Sequence, residues 1–148
     1  MDPSRSEHPF AEDDEVFRES FPSRLEERDR VIEAALDSLE REGCPVDRFG
    51  DRLCLDELIA NAIIHGNRED PSKSVTVRAF SGPRAWGFEV TDEGSGFDWQ
   101  AWEENLETSN ALLRPSGRGL AIVIGSGTDI RFLDGGRSVV AVRPRRKD

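Results

Sequence analysis

Only two of the 148 residues are cysteine, Cys44 and Cys54. That is too few for a four-cysteine zinc site or a disulfide framework, and it suits a reducing, cytoplasmic setting. Long apolar runs are missing as well. None approaches the ~18 residues that a membrane span needs, so no membrane association is expected. Residues 1–9 have no apolar centre and are not expected to act as a secretory signal. Positive charge is in deficit, with 20 Lys and Arg against 30 Asp and Glu for a net charge of −10, which argues against direct nucleic-acid binding. Three widespread chemical signatures are absent too: G-x-x-x-x-G-K-[ST], G-x-S-x-G and H-E-x-x-H. No internal repeat is visible.

What is present suits one soluble domain with a charged surface, at 36% hydrophobic and 34% charged residues. Residues 1–13 are acidic and proline-flanked and read as a mobile arm. A domain is expected over 14–143, with a short basic tail over 144–148. Asp14 to Phe21 alternates as a strand does. Ser23 stands three residues before Glu26, the spacing of a capping box, and Leu25, Val31, Ile32, Ala35, Leu36 and Leu39 then follow at helical intervals up to about Glu42. A second helix is expected from about Val46 to His65, ended by Gly66-Asn67. Ser74–Phe80 and Ala85–Thr91 form a hairpin, and Thr128–Leu133 and Ser138–Val142 flank the turn Asp134-Gly135-Gly136. Short helices are expected near Gln100–Glu107 and over Arg118–Ile124. Helices and strands are largely segregated along the chain. This predicts an α+β fold, a two-layer sandwich whose mixed, mostly antiparallel sheet is covered on one face by helices.

Three blocks carry chemistry. In the first, Glu57, Asn61 and His65 stand at i, i+4 and i+8 and share one stripe of a helix. Their oxygen ligands suit a hard cation such as Mg²⁺, which also holds substrate phosphates; the bland alternative is a solvated helix face. In the second, Val90-Thr91-Asp92-Glu93-Gly94-Ser95-Gly96, alternation puts Asp92 on the same face as Trp86, Phe88 and Val90. A carboxylate on a core face needs a partner, and a nucleobase amino group is a fitting one. Gly94 and Gly96 let backbone approach a ligand closely; the alternative is a plain turn. In the third, Ser116-Gly117-Arg118-Gly119-Leu120 opens a helix whose free N–H groups suit an anion, with Arg114 and Arg118 able to bond phosphate. Its alternative is a linker before a core helix.

In this order the blocks resemble those of the GHKL ATPases, the group of gyrase, the heat-shock chaperone, histidine kinases and the mismatch-repair ATPase. The E-x-x-x-N box falls at Glu57 and Asn61, D-x-G-x-G at Asp92, Gly94 and Gly96, and G-x-G-L at Gly117, Gly119 and Leu120. Phe21-Pro22-Ser23-Arg24 and the run from Asn61 to Asn67 are most similar to the bacterial anti-sigma factor serine/threonine kinases. The resemblance spans roughly residues 14–143 and implies a role for each matched residue. Glu57 would be the general base, and Asn61 would ligate Mg²⁺ between ATP phosphates. Asp92 would accept from the adenine amino group, with Gly96 letting the base sit close. Residues 98–116 would form an ATP lid, in which Trp99 and Trp102 either cover the nucleotide or a partner or fill a local gap. Ser138 stands near a family Thr that contacts adenine, and His65 is either near the phosphates or a helix-terminal cap. The resemblance implies ATP and Mg²⁺ as cofactors, and a sigma factor and a STAS-type anti-anti-sigma protein as partners. It also implies a homodimer as an assembly open to the chain. The function it implies is a kinase that binds sigma and phosphorylates a serine of the anti-anti-sigma partner. The alternative is a non-catalytic nucleotide-binding module that switches partners without transferring phosphate.

Overall fold

The computed structural model describes residues 8–94 and 128–145. Among the described residues five strands form one sheet in the order β1-β2-β3-β5-β4: β1 Glu15–Pro22, β2 Ser74–Ser81, β3 Ala85–Thr91, β4 Asp129–Leu133 and β5 Ser138–Pro144. Each described pairing is antiparallel. Two helices, α1 Arg28–Arg41 and α2 Gly50–Asn61, cover one face. This is the expected α+β sandwich. None of the described helices is long and apolar enough to cross a membrane.

The expected periodicities account for the core. Val31, Ile32, Ala35, Leu36 and Leu39 of α1 are wholly buried, as are Cys54, Leu55 and Ile59 of α2. They meet the inward residues of the sheet, Val75, Val77 and Ala79 on β2, Trp86, Phe88 and Val90 on β3, and Val139 and Ala141 on β5. Helix α1 stops because Gly43 takes φ +79°, a left-handed conformation that glycine adopts without steric cost. Cys44 N–H then bonds to Leu39 C=O at 3.1 Å and Gly43 N–H to Glu40 C=O at 3.0 Å, which satisfies the open carbonyls.

Three local expectations give way to tertiary packing. Ser23 caps no helix: its hydroxyl donates to Lys73 C=O at 3.0 Å, and residues 25–27 form a 3₁₀ turn before α1. The second helix begins later than expected, at Gly50, and its last turn, Ala62–Gly66, widens to π-helical. Residues 8–13 are no loose arm. Phe10 is 8% exposed and stacks on Phe80 with ring centroids 5.0 Å apart. It closes a second cluster with Leu133 and Val140 on the sheet face that the helices leave open. The short helices expected near 100–107 and 118–124 lie outside the described residues.

One buried ion pair ties α2 to the sheet. Arg143 Nε lies 3.2 Å from Asp51 Oδ1, with the two side chains 15% and 2% exposed. The same guanidinium donates to Thr128 Oγ1 at 2.7 Å and lies over the Trp86 ring.

Candidate functional site

Glu57 and Asn61 stand one turn apart on α2, both half-buried, while His65 in the π-helical turn is exposed. The Glu57 carboxylate is the unusual one. Its Oε2 is buried and has no hydrogen-bond partner among the described residues. Burial pushes its pKa up to about 7, the charge of Asp56 adds to the rise, and Arg28 opposes it. Arg28 is itself held by Asp56, Nε to Oδ1 at 3.1 Å. A carboxyl whose pKa stands near neutrality can exchange a proton at physiological pH.

Asp92 sits where strand alternation puts it, 6% exposed beyond Trp86, Phe88 and Val90. Burial raises its pKa, against the Gly94 N–H and the Arg137 charge that lower it. Gly94 N–H donates to Oδ1 at 2.8 Å, and Asp92 N–H donates to Arg137 C=O at 2.9 Å. Ser138 follows on β5, in register with Thr91, and their hydroxyls are 2.8 Å apart. Asp92 and Ser138 therefore come together from positions far apart in the chain.

The glycines here serve protein contact before any ligand. A Cβ on Gly94 would stand 2.0 Å from Gly66 C=O, and one on Gly66 would stand 2.2 Å from Asp92 Oδ2. The end of the α2 run is thus pressed against the Asp92 loop. Gly66→Ala forces that carboxylate aside. We expect at least a tenfold loss of ATP affinity by calorimetry, since a misplaced polar contact of about 1.4 kcal/mol corresponds to a factor of ten.

One residue that sequence reasoning did not single out holds this junction. Asn67 is 1% exposed, and its amide donates to Ser23 Oγ at 2.6 Å and to Ser74 C=O at 2.9 Å, while its oxygen accepts from Glu93 N–H at 2.8 Å. In the sequence it reads as a helix stop and as the end of the Asn61–Asn67 run, with no anchoring role visible, because an amide's partners are set by tertiary register.

Among the described residues no group of three or more His, Cys, Asp or Glu side chains stands ready to hold a metal. The fit for Mg²⁺ is of another kind: one amide oxygen, that of Asn61, with phosphates and water completing the shell. The buried Asp92 acceptor, cradled by two glycines, fits the adenine end of a nucleotide. Gly96, Arg114, Gly117, Arg118, Gly119, Leu120, Trp99, Trp102 and the segment 98–116 lie outside the described residues.

A family model for the histidine kinase-like ATPase domain matches residues 21–143. No curated protein matches the chain.

Proposed function

The chain belongs to the histidine kinase-like ATPase domain family, and from that premise we propose that it is an ATP-dependent serine/threonine kinase of the anti-sigma type. It would hold a sigma factor and phosphorylate a serine on a STAS-type anti-anti-sigma protein. The observation that carries the kinase reading is Glu57, a half-buried carboxyl with an unpartnered oxygen and a pKa of about 7, one turn before Asn61. The partner classes rest on Phe21-Pro22-Ser23-Arg24 and the run Asn61 to Asn67.

ATP bound here supplies the transferable phosphoryl group, and Mg²⁺ neutralises its phosphates. The chain's own residues supply position and a proton acceptor, which is most of what phosphoryl transfer asks of a protein. Asp92 accepts the adenine amino N–H and fixes the nucleotide's orientation. Asn61 would hold the metal end of the phosphates. The Glu57 carboxylate would take the proton of the incoming serine hydroxyl. By their place in the sequence, Arg118 and Arg114 would bond phosphate oxygens.

The direct test is incubation with labelled ATP and anti-anti-sigma proteins. Phosphate on a partner serine supports the reading. Tight ATP binding without transfer to any cognate partner replaces it by the nucleotide-binding module. For the base site, Asp92→Ala removes the acceptor and should cost about 1–3 kcal/mol of ATP affinity, the scale of an unpaired buried polar group. Unchanged calorimetric affinity rejects Asp92 as the adenine contact.

A further inference from the structure

We propose that Asn67 is a specificity-determining positioning residue, which fixes the Asp92-Glu93-Gly94 loop in the place from which it discriminates adenine from guanine nucleotides. The proposal rests on the reading of Asp92 as the adenine contact.

The Asn67 amide makes three bonds. Its NH₂ donates to Ser23 Oγ, at the exit of β1, and to Ser74 C=O, at the entry of β2. Its oxygen accepts from Glu93 N–H, the backbone group between Asp92 and Gly94. Two donations and one acceptance from a single short side chain are what an amide offers. An ionised Asp has no donor at all, a Ser cannot span the distance, and an apolar residue offers nothing. The anchors are themselves tied down. Ser23 Oγ donates to Lys73 C=O, and the Glu93 carboxylate accepts from Ser74 N–H at 2.8 Å. The loop is therefore fixed to the strand edge on both sides of its backbone.

The neighbouring contacts show what this fixing determines. Gly66, one residue before Asn67, leaves no room for a side chain beside Asp92 Oδ2, and Gly94 leaves none beside Gly66 C=O. With so little clearance, a small movement of Glu93 N–H redirects the Asp92 carboxylate. Adenine offers that carboxylate an N–H donor; guanine turns a carbonyl oxygen toward the same position, and two acceptors repel. The discrimination depends on the carboxylate standing at one place, and Asn67 is the buried group that sets it. Asn67 belongs to the same run as Asn61 and His65, so it also joins the base-reading loop to the phosphate end of the site.

The test measures ATP and GTP affinity by calorimetry for wild type, Asn67→Ala, Ser23→Ala and Asp92→Ala. We expect Asn67→Ala to weaken ATP by about tenfold or more, the loss of a buried polar anchor, and to leave GTP nearly unchanged, so that the ratio collapses. A role confined to general stability would lower both affinities by a common factor. Ser23→Ala removes one anchor of the three, leaves the Glu93 bond in place, and should narrow the ratio less. It keeps the proposal testable should Asn67→Ala fail to fold. A wild-type ATP-to-GTP ratio in every Asn67 and Ser23 variant that folds overturns the proposal. If Asp92→Ala also keeps that ratio, the adenine reading fails and the proposal falls with it. If Asp92→Ala loses it while the Asn67 and Ser23 variants do not, only the positioning role is lost.

Discussion

Replacing Glu57 by alanine should lower phosphoryl transfer to a partner serine by roughly 10²–10⁴-fold, the scale of a lost general base, and leave Mg·ATP affinity nearly unchanged. Asn61→Ala should weaken Mg·ATP binding and abolish transfer. The two roles separate in the proposed mechanism, where Glu57 would meet the incoming hydroxyl and Asn61 the metal end of the nucleotide. Sigma binding should survive in Glu57→Ala, since holding a partner needs the surface and not the chemistry. Paired measurement of ATP affinity and phosphate incorporation decides the assignment: transfer at the wild-type rate in Glu57→Ala removes Glu57 as the base. A pH dependence accompanies it. With a pKa of about 7, the carboxylate is the minor form below neutrality, so the rate should fall about tenfold for each pH unit beneath 7. Stability runs the other way. The folded pKa lies above the ordinary 4.5, so the stability this group lends is full below about 4.5 and is lost as pH rises through about 7. Glu57→Gln should therefore stabilise the fold at pH 8 and not at pH 4. The gain is about 1–2 kcal/mol once the screening of a half-hydrated group is allowed for.

Arg143→Ala should destabilise the domain by about 3 kcal/mol, the lower end of the cost of breaking a buried ion pair. The lower end applies because Arg143 keeps 15% of its side-chain exposure. Its removal leaves the Asp51 carboxylate in the core with the Asp47 N–H, 2.8 Å away, as one of its remaining partners. It also strips the cation from the face of Trp86 and the donor from Thr128. Pairing Arg143→Met with Asp51→Asn takes away both charges and keeps the volume, and should recover much of the loss. Urea unfolding of the single and double variants measures this. Additive costs would show that the two side chains do not act as a pair.

The contrast between these residues explains what the sequence discloses. Asp92 is legible because a strand has period two: Trp86, Phe88 and Val90 fix its face by alternation alone. The α1 stripe from Val31 to Leu39 is legible by the same logic at period 3.6. Asn67 and Arg143 are not legible. Their meaning depends on partners that only the sheet register brings near, Glu93 and Ser23 for one and Asp51 for the other. Ser23 shows local grammar overruled, since a serine with a glutamate three residues on reads as a cap until the Lys73 carbonyl, just before β2, claims its hydroxyl. Phe10 shows the limit of composition. One ring in an acidic stretch is invisible to an average, yet it closes the open side of the sheet.

The two outermost strands bear on how the protein behaves when concentrated. An exposed strand edge is a template for a neighbouring chain, and β1 and β4 are the edges of the sheet that the described residues form. Neither offers a clean one. Along β1 stand Glu15, Arg18 and Glu19, with a bulge between Glu15 and Phe17 and Pro22 at the end. β4 is only Asp129–Leu133, and it carries Asp129 and Arg131 paired at 3.0 Å. Alternating charge, a bulge, a proline and short length are the devices that deny an incoming strand its hydrogen bonds. Aggregation resistance is thus written into residues that touch neither nucleotide nor core, and substitutions that make either edge apolar would erode it with the site intact.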